Sequence, residues 1–119
     1  MPDTPPPIGP YTPIVRAGDF LICSGQLGVV DGVLADGVSE QTSAAIANLS
    51  KLLETAGASL TDVVKTTVFL LDMAEFATMN SAYVEAFADH RPARSAVAVR
   101  ALPLGGLVEV EAWAFRPAP

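Results

Sequence analysis

Apolar and polar positions alternate, then shift period, several times along this chain, and the shifts mark out its elements. In YTPIVRAGDFLICSGQLGVV (11–30) two short apolar runs flank Ala17-Gly18-Asp19, which predicts two strands around a turn. By parity Phe20, Ile22 and Ser24 share one strand face, and Leu21 and Cys23 the other. Gly25 and Gly28 punctuate the run, and DGVLADG (31–37) reads as a glycine-bearing loop. The period then becomes helical. Ala45, Ile46, Leu49, Leu52, Leu53 and Ala56 form one stripe, predicting a helix over 39–56 with Ser39 as N-cap and Gly57 as its stop. VVKTTVFLL (63–71) is β-branched and aromatic, the pattern of an interior strand. A second helix, over 75–88, follows Asp72. Its apolar face is Phe76, Met79, Tyr83 and Phe87, with Asn80 set inside that stripe. SAVAV (95–99) and LVEVEAWAF (107–115) are two more strands, joined by a turn at LPLGG.

The resulting order is ββαβαββ. Paired strands at each end with helices between imply an α+β fold, a mixed sheet with both helices on one face. The other face then needs cover, and a second copy of the chain is the simplest source, so a closed homo-oligomer is expected. No repeats and no change of composition divide the chain, so residues 1–119 form a single domain, with the proline-rich residues 1–10 as a stiff arm leading into the first strand.

Composition narrows the function classes. Half of the 119 residues are hydrophobic, enough for a core without disulfides or metal. The net charge of −6 repels phosphate backbones and argues against a nucleic-acid partner. The single cysteine, Cys23, allows no intrachain disulfide and reads as a small buried hydrophobe. The N-terminus lacks the pattern of a secretory signal, and no apolar run is long enough to cross a bilayer, so no membrane partner and a cytoplasmic location are expected.

Several residues are candidates for chemistry. Arg94, in RPARSAVAV (91–99), aims a permanent charge at the start of a half-buried strand. Its planar fork suits a small carboxylate, or else an ion pair with Glu109 or Glu111. Those two acids lie two apart in VEVEAW and point to one side of their strand, either for acid–base work or as a solvated face. Asn80 interrupts an apolar face, and a buried amide there needs partners, a loop or a ligand. Tyr11 follows Gly9-Pro10 and either caps a pocket or packs on the arm. Ser24 lies in SGQ, which is not a nucleophile elbow. His90, the only histidine, fits a helix terminus. No His/Cys cluster has metal-ligand spacing and no nucleotide-binding glycine fingerprint is present, which leaves chemistry without metal or cofactor.

Taken together, IGPY (8–11), SGQ (24–26), VVKTTVFLLDMAEFATMN (63–80), RPARS (91–95) and LVEVEA (107–112) resemble the RidA (YjgF/YER057c/UK114) family of reactive intermediate deaminases, in order and spacing over nearly the whole chain. The resemblance implies a chorismate-mutase-like fold assembled as a homotrimer, with a site in each cleft between subunits. It implies hydrolysis of enamines and imines such as 2-aminoacrylate to a 2-keto acid and ammonia, without metal or cofactor. By position, Arg94 would grip the substrate carboxylate and Glu109 would guide water or protons, while Tyr11, Ser24 and Asn80 would line the cleft. Ala96 stands where many members carry cysteine. It leaves a backbone carbonyl to hold water and excludes a thiol mechanism. Arg91 before Pro92 and the uncharged ALPLGG (101–106), in place of a basic loop, bear on substrate range. Two other readings of the resemblance are a non-catalytic trimer that binds small carboxylates such as 2-keto acids, and a specialised hydrolase of a catabolic intermediate.

Overall fold

The structure is a computed structural model and describes residues 6–119; the outer part of the proline-rich arm, residues 1–5, lies outside the described residues. The elements run β1 (Ile14–Ala17), β2 (Phe20–Leu27), β3 (Val29–Val30), β4 (Val33–Leu34), α1 (Gly37–Thr55), β5 (Val63–Leu70), α2 (Phe76–Phe87), β6 (Ala93–Ala98) and β7 (Val108–Phe115). The main sheet has the order β1-β2-β7-β5-β6. Only β5 and β6 are parallel, and they are linked through α2, as a parallel pair requires a crossover.

Alternation along β7 sets the two faces. Val108, Val110, Ala112 and Ala114 are fully buried under α1 and α2, whereas Glu109, Glu111, Trp113 and Phe115 project from the opposite face. Leu21, Cys23, Thr66, Val68 and Leu70 join the buried set. Both helices therefore cover one face, as the sequence predicts. The other face is open and carries an edge-to-face cluster of Phe20, Trp113 and Phe115, with Phe20 to Phe115 centroids 5.3 Å apart.

Four sequence expectations change. The helix α1 starts at Gly37, not Ser39, because Val38 is already buried against the sheet; its N-cap is Asp36, and Ser39 lies inside the first turn. The loop 31–37 contains a hairpin: β3 and β4 pair around Asp31-Gly32, whose φ values of 51° and 82° are those of a type I′ turn. The last two strands do not pair with each other, since β5 lies between them. The connection from Val99 to Leu107 is long enough to pass the end of β5, and β7 is hydrogen-bonded on both edges. The helix α2 spans Phe76–Phe87, and Glu75, expected as its first residue, instead ends a separate 3₁₀ turn, Met73–Glu75, capped by Asp72. The stop at Gly57 holds: with φ 77° it closes α1 through Ala58 N–H to the Leu53 carbonyl and Gly57 N–H to the Glu54 carbonyl.

Two buried amides tie α1 to the strands. Asn48 Nδ2 donates to the Leu27 and Val29 carbonyls at 3.1 and 3.0 Å. Gln41 accepts from Leu107 N–H at 2.9 Å and donates to the Ala35 carbonyl at 3.0 Å. Between them, Gly28 passes so near α1 that a Cβ there would stand 2.4 Å from Gln41 Cα.

Candidate functional site

Arg94 lies within β6, paired with Thr66 of β5 and so on the helix-covered side of the sheet. Its guanidinium rests 4.8 Å from the ring centroid of Tyr83 and 5.5 Å from that of Phe76, both on α2. Nη1 donates to Asn80 Oδ1 at 2.8 Å. The Tyr83 hydroxyl is in turn hydrogen-bonded to Thr66 Oγ1 at 2.7 Å. Burial pushes the Tyr83 phenol up, while the Thr66 hydrogen bond and the Arg94 and Arg91 charges act the other way. The apolar stripe of α2 thus supplies flat rings beneath a cation, and Asn80 within it is the polar stop that fixes one corner of the fork. Cation–π contacts of this kind contribute about 0.5–2 kcal/mol each. No carboxylate pairs with Arg94: among the described residues the only ion pair is Arg116 with Asp62, at 3.7 Å.

Glu109 lies on β7 opposite Phe69 and Leu27, on the open side of the sheet. It is half-buried, and burial raises its pKa, with the like charge of Glu111 adding to the effect. A bulge in β2 lies nearby, opposite Glu111: between Cys23 and Gln26 the strand carries one residue more than β7 does. Gly25, in that bulge, leaves room for the Glu109 carboxylate, because a Cβ there would fall 2.8 Å from Glu109 Cδ. Ser24 Oγ donates to the Thr12 carbonyl at 2.7 Å, and its N–H donates to the Pro13 carbonyl at 2.8 Å, which fastens the incoming arm beside Glu109. Tyr11 is exposed on that arm and its hydroxyl oxygen accepts from Ile8 N–H at 3.4 Å. Ile8, Tyr11, Ser24, Gly25, Pro103 and Glu109 enclose an open cleft of about 250 Å³.

The sequence-predicted residues therefore fall into two groups. Tyr11, Ser24 and Glu109 meet at one cleft. Arg94 and Asn80 meet at α2 and β6, with half-buried Ala96 two residues along β6 on Arg94's face. The groups lie on opposite faces of the same sheet, so Arg94 forms no ion pair with Glu109 or Glu111 within one protomer. Other candidates have structural work. His90 Nε2 donates to the Val63 carbonyl at 2.6 Å, three residues beyond the end of α2. Arg91 Nη1 donates to the Ala88 and His90 carbonyls and so caps the same helix end. Cys23 is buried, and burial pushes its thiol up to about 12, leaving it inert at neutral pH. Sequence reasoning missed the support from Tyr83, the contact between Gly25 and Glu109, and the place of Leu104 in the lining of an adjoining cavity that also contains Glu109. A glycine inside a strand pattern is the available signal for the second.

The comparisons agree with this architecture. The model of a family described as endoribonuclease L-PSP matches residues 1–116. A RutC family protein of Pyrococcus horikoshii is 42% identical over 117 residues, 96% of this chain and 93% of that one. A bovine 2-iminobutanoate/2-iminopropanoate deaminase is 43% identical over 115 residues, 94% of this chain and 84% of that one. The crystal structure of E. coli TdcF with bound serine superposes with a TM-score of 0.90 at 36% identity, covering 95% of this chain and 93% of that one. Fold, family match and identity over nearly the full length lead to one conclusion: the chain belongs to the RidA family.

Proposed function

We propose that this protein is a hydrolytic deaminase of imines and enamines derived from amino acids, acting as a homotrimer with each site shared by two protomers. The observation that carries the reading is the division of the site. A carboxylate-shaped guanidinium fork has no acidic partner, and a half-buried carboxylate whose pKa is raised by burial faces an open cleft on the other side of the sheet. Each half lacks what the other has, and stacking the open face of one copy against the edge of the next supplies it. The exposed apolar residues of that open face, Val15, Phe20, Trp113 and Phe115, favour such cover. The relatives named as deaminases support the activity, and the serine bound to TdcF is a small ligand carrying a carboxylate.

In this mechanism Arg94 binds the substrate carboxylate in bidentate fashion and Asn80 holds the fork in plane. An enamine first takes a proton from water at carbon to become the iminium ion, the protonated imine. Water, lodged between Glu109 and the Ala96 carbonyl, adds to the imine carbon as Glu109 accepts its proton. The nitrogen of the resulting carbinolamine takes that proton back from Glu109, the carbon–nitrogen bond breaks as the hydroxyl gives its proton to solvent and becomes the carbonyl, and ammonia and a 2-keto acid leave. Tyr11 and Ser24 line the entry and limit water to the productive direction. Most of the acceleration comes from orientation, since a protonated imine beside a carboxylate is already electrophilic.

The experiment generates 2-iminopropanoate in situ with an amino-acid oxidase and follows its decay. Wild-type protein is expected to accelerate the decay, Arg94→Ala to abolish the acceleration and Glu109→Ala to reduce it strongly. Binding of pyruvate without acceleration would refute the reading in favour of a non-catalytic carboxylate binder.

A further inference from the structure

We infer that Leu104, with Ile8 and Tyr11, forms a wall that selects 2-imino acids with uncharged side chains larger than methyl, such as those made by oxidation of leucine or phenylalanine. This rests on the deaminase reading and extends it to the substrate's side chain. Leu104 occupies the first central position of a tight turn, Pro103–Gly106, closed by the Gly106 N–H to the Pro103 carbonyl at 3.0 Å. Both central residues are left-handed, with φ 60° at Leu104 and 75° at Gly105. Such a turn favours Asn, Asp or Gly, and a leucine there carries a backbone penalty. It recovers little by burial, being 61% exposed.

The turn is held on its far side, because Leu107 N–H is bound by buried Gln41 and Gly106 packs on Leu27. Leu104 thereby lines the cavity that contains Glu109, together with Ile8 and Tyr11. Among the described residues Glu109 is the only charged group lining this cavity or the adjoining cleft.

With the carboxylate on Arg94 of the neighbouring protomer and the imine carbon at Glu109, the remaining substituent faces this wall. An acidic side chain would meet the Glu109 charge, and the guanidinium at the site, Arg94, is already taken by the substrate's own carboxylate. An aliphatic or aromatic one would be removed from water against three apolar surfaces. Selection of this kind gives roughly tenfold or more per added methylene in a close-fitting pocket.

The test uses the full-length protein and imines formed in situ from alanine, leucine, phenylalanine and glutamate. The leucine- and phenylalanine-derived imines are expected to exceed the alanine-derived one in kcat/KM by about tenfold, with the glutamate-derived one lowest. Leu104→Lys should erase that advantage and raise the glutamate-derived rate. Leu104→Gly, which suits the left-handed backbone, should erase the advantage without that gain. Calorimetry with 4-methyl-2-oxopentanoate, pyruvate and 2-oxoglutarate reads the same order without turnover. If that binding order holds but no imine is hydrolysed, the deaminase reading falls and the wall stands. If the alanine-derived imine is hydrolysed equally well and Leu104→Lys leaves the order unchanged, the wall falls and the deaminase reading stands. A change of assembly mass with the order intact makes Leu104 a contact between copies and overturns the inference. Absence of binding by all three keto acids overturns it as well.

Discussion

A guanidinium laid on two rings and fixed at one corner by an amide keeps its fork in a single plane, and that is what distinguishes Arg94 from a mere positive charge. Lysine would keep the charge and lose the plane. Arg94→Lys is therefore expected to lower kcat/KM roughly ten- to hundredfold, the equivalent of about 1.5–3 kcal/mol for a hydrogen bond to a charged group, mainly through KM. Steady-state kinetics on 2-iminopropanoate checks this, and equal KM values would show that the fork is not used. Glu109 has a different signature. Burial first, and Glu111 second, make it hold its proton more tightly in the fold than in the unfolded chain. Between its ordinary value and the raised one the native state binds more protons, so stability falls as pH rises through that window. Glu109→Gln removes the penalty. The variant is expected to melt above wild type at pH ~7 and to match it below pH ~4, where the carboxyl is protonated in both states, while deamination is lost. Thermal melts at the two pH values decide it, and a difference independent of pH would refute the assignment.

Two nearby glycines in β2 and the β2–β3 link do different jobs. A Cβ at Gly28 would meet α1 main chain, with Gln41 Cα at 2.4 Å and the Gln41 carbonyl oxygen at 2.5 Å. Gly28→Ala must push helix from strand and is expected to destabilise by about 1–3 kcal/mol. The three atoms nearest a Cβ at Gly25 all belong to the Glu109 side chain, so Gly25→Ala should displace the carboxylate and lower kcat while the melting temperature changes far less. Paired melts and rates separate the two, and equal loss of stability would count against this division. Such contacts are illegible in a sequence, because they depend on which element crosses which. Local features were legible: the apolar stripe of α1, the stop at Gly57, the alternation of β7 and the odd placement of Asn80 each follow from neighbours a few residues apart. Pairing between distant strands was not. Nothing in SAVAV or LVEVEAWAF says that β5 comes between them, since that register is set by the crossover through α2. The Asp31-Gly32 hairpin carried a recognisable turn signal, but its strands are only two residues each. The starting residue of α1 was set by burial of Val38 rather than by capping chemistry.

At the scale of the whole molecule, the sheet itself separates the two halves of the site. Thr66 and Phe69, three apart on β5, mark opposite faces, and Arg94 pairs with the first as Glu109 pairs with the second. No side-chain motion within one protomer carries the guanidinium through a hydrogen-bonded sheet, so a joint site requires a neighbour. This requirement has a measurable consequence. Alone, Arg94→Ala protein is expected to be inactive and Glu109→Ala protein to keep only a small residual activity. In the proposed trimers, assembled from an equal mixture, a site regains both groups when a Glu109→Ala subunit supplies the arginine and an Arg94→Ala subunit supplies the acid. Random cyclic assembly gives that combination in about one quarter of sites, so co-expressed or co-refolded mixtures should recover roughly a quarter of wild-type activity. Mixing without subunit exchange should recover none, which controls for traces of wild type. Restored activity would mean that the catalytic pair is made between copies. Its absence, in mixtures whose mixed composition is verified by mass, would mean that Arg94 and Glu109 never serve the same substrate molecule, and the division of the sheet into two complementary half-sites would have to be abandoned.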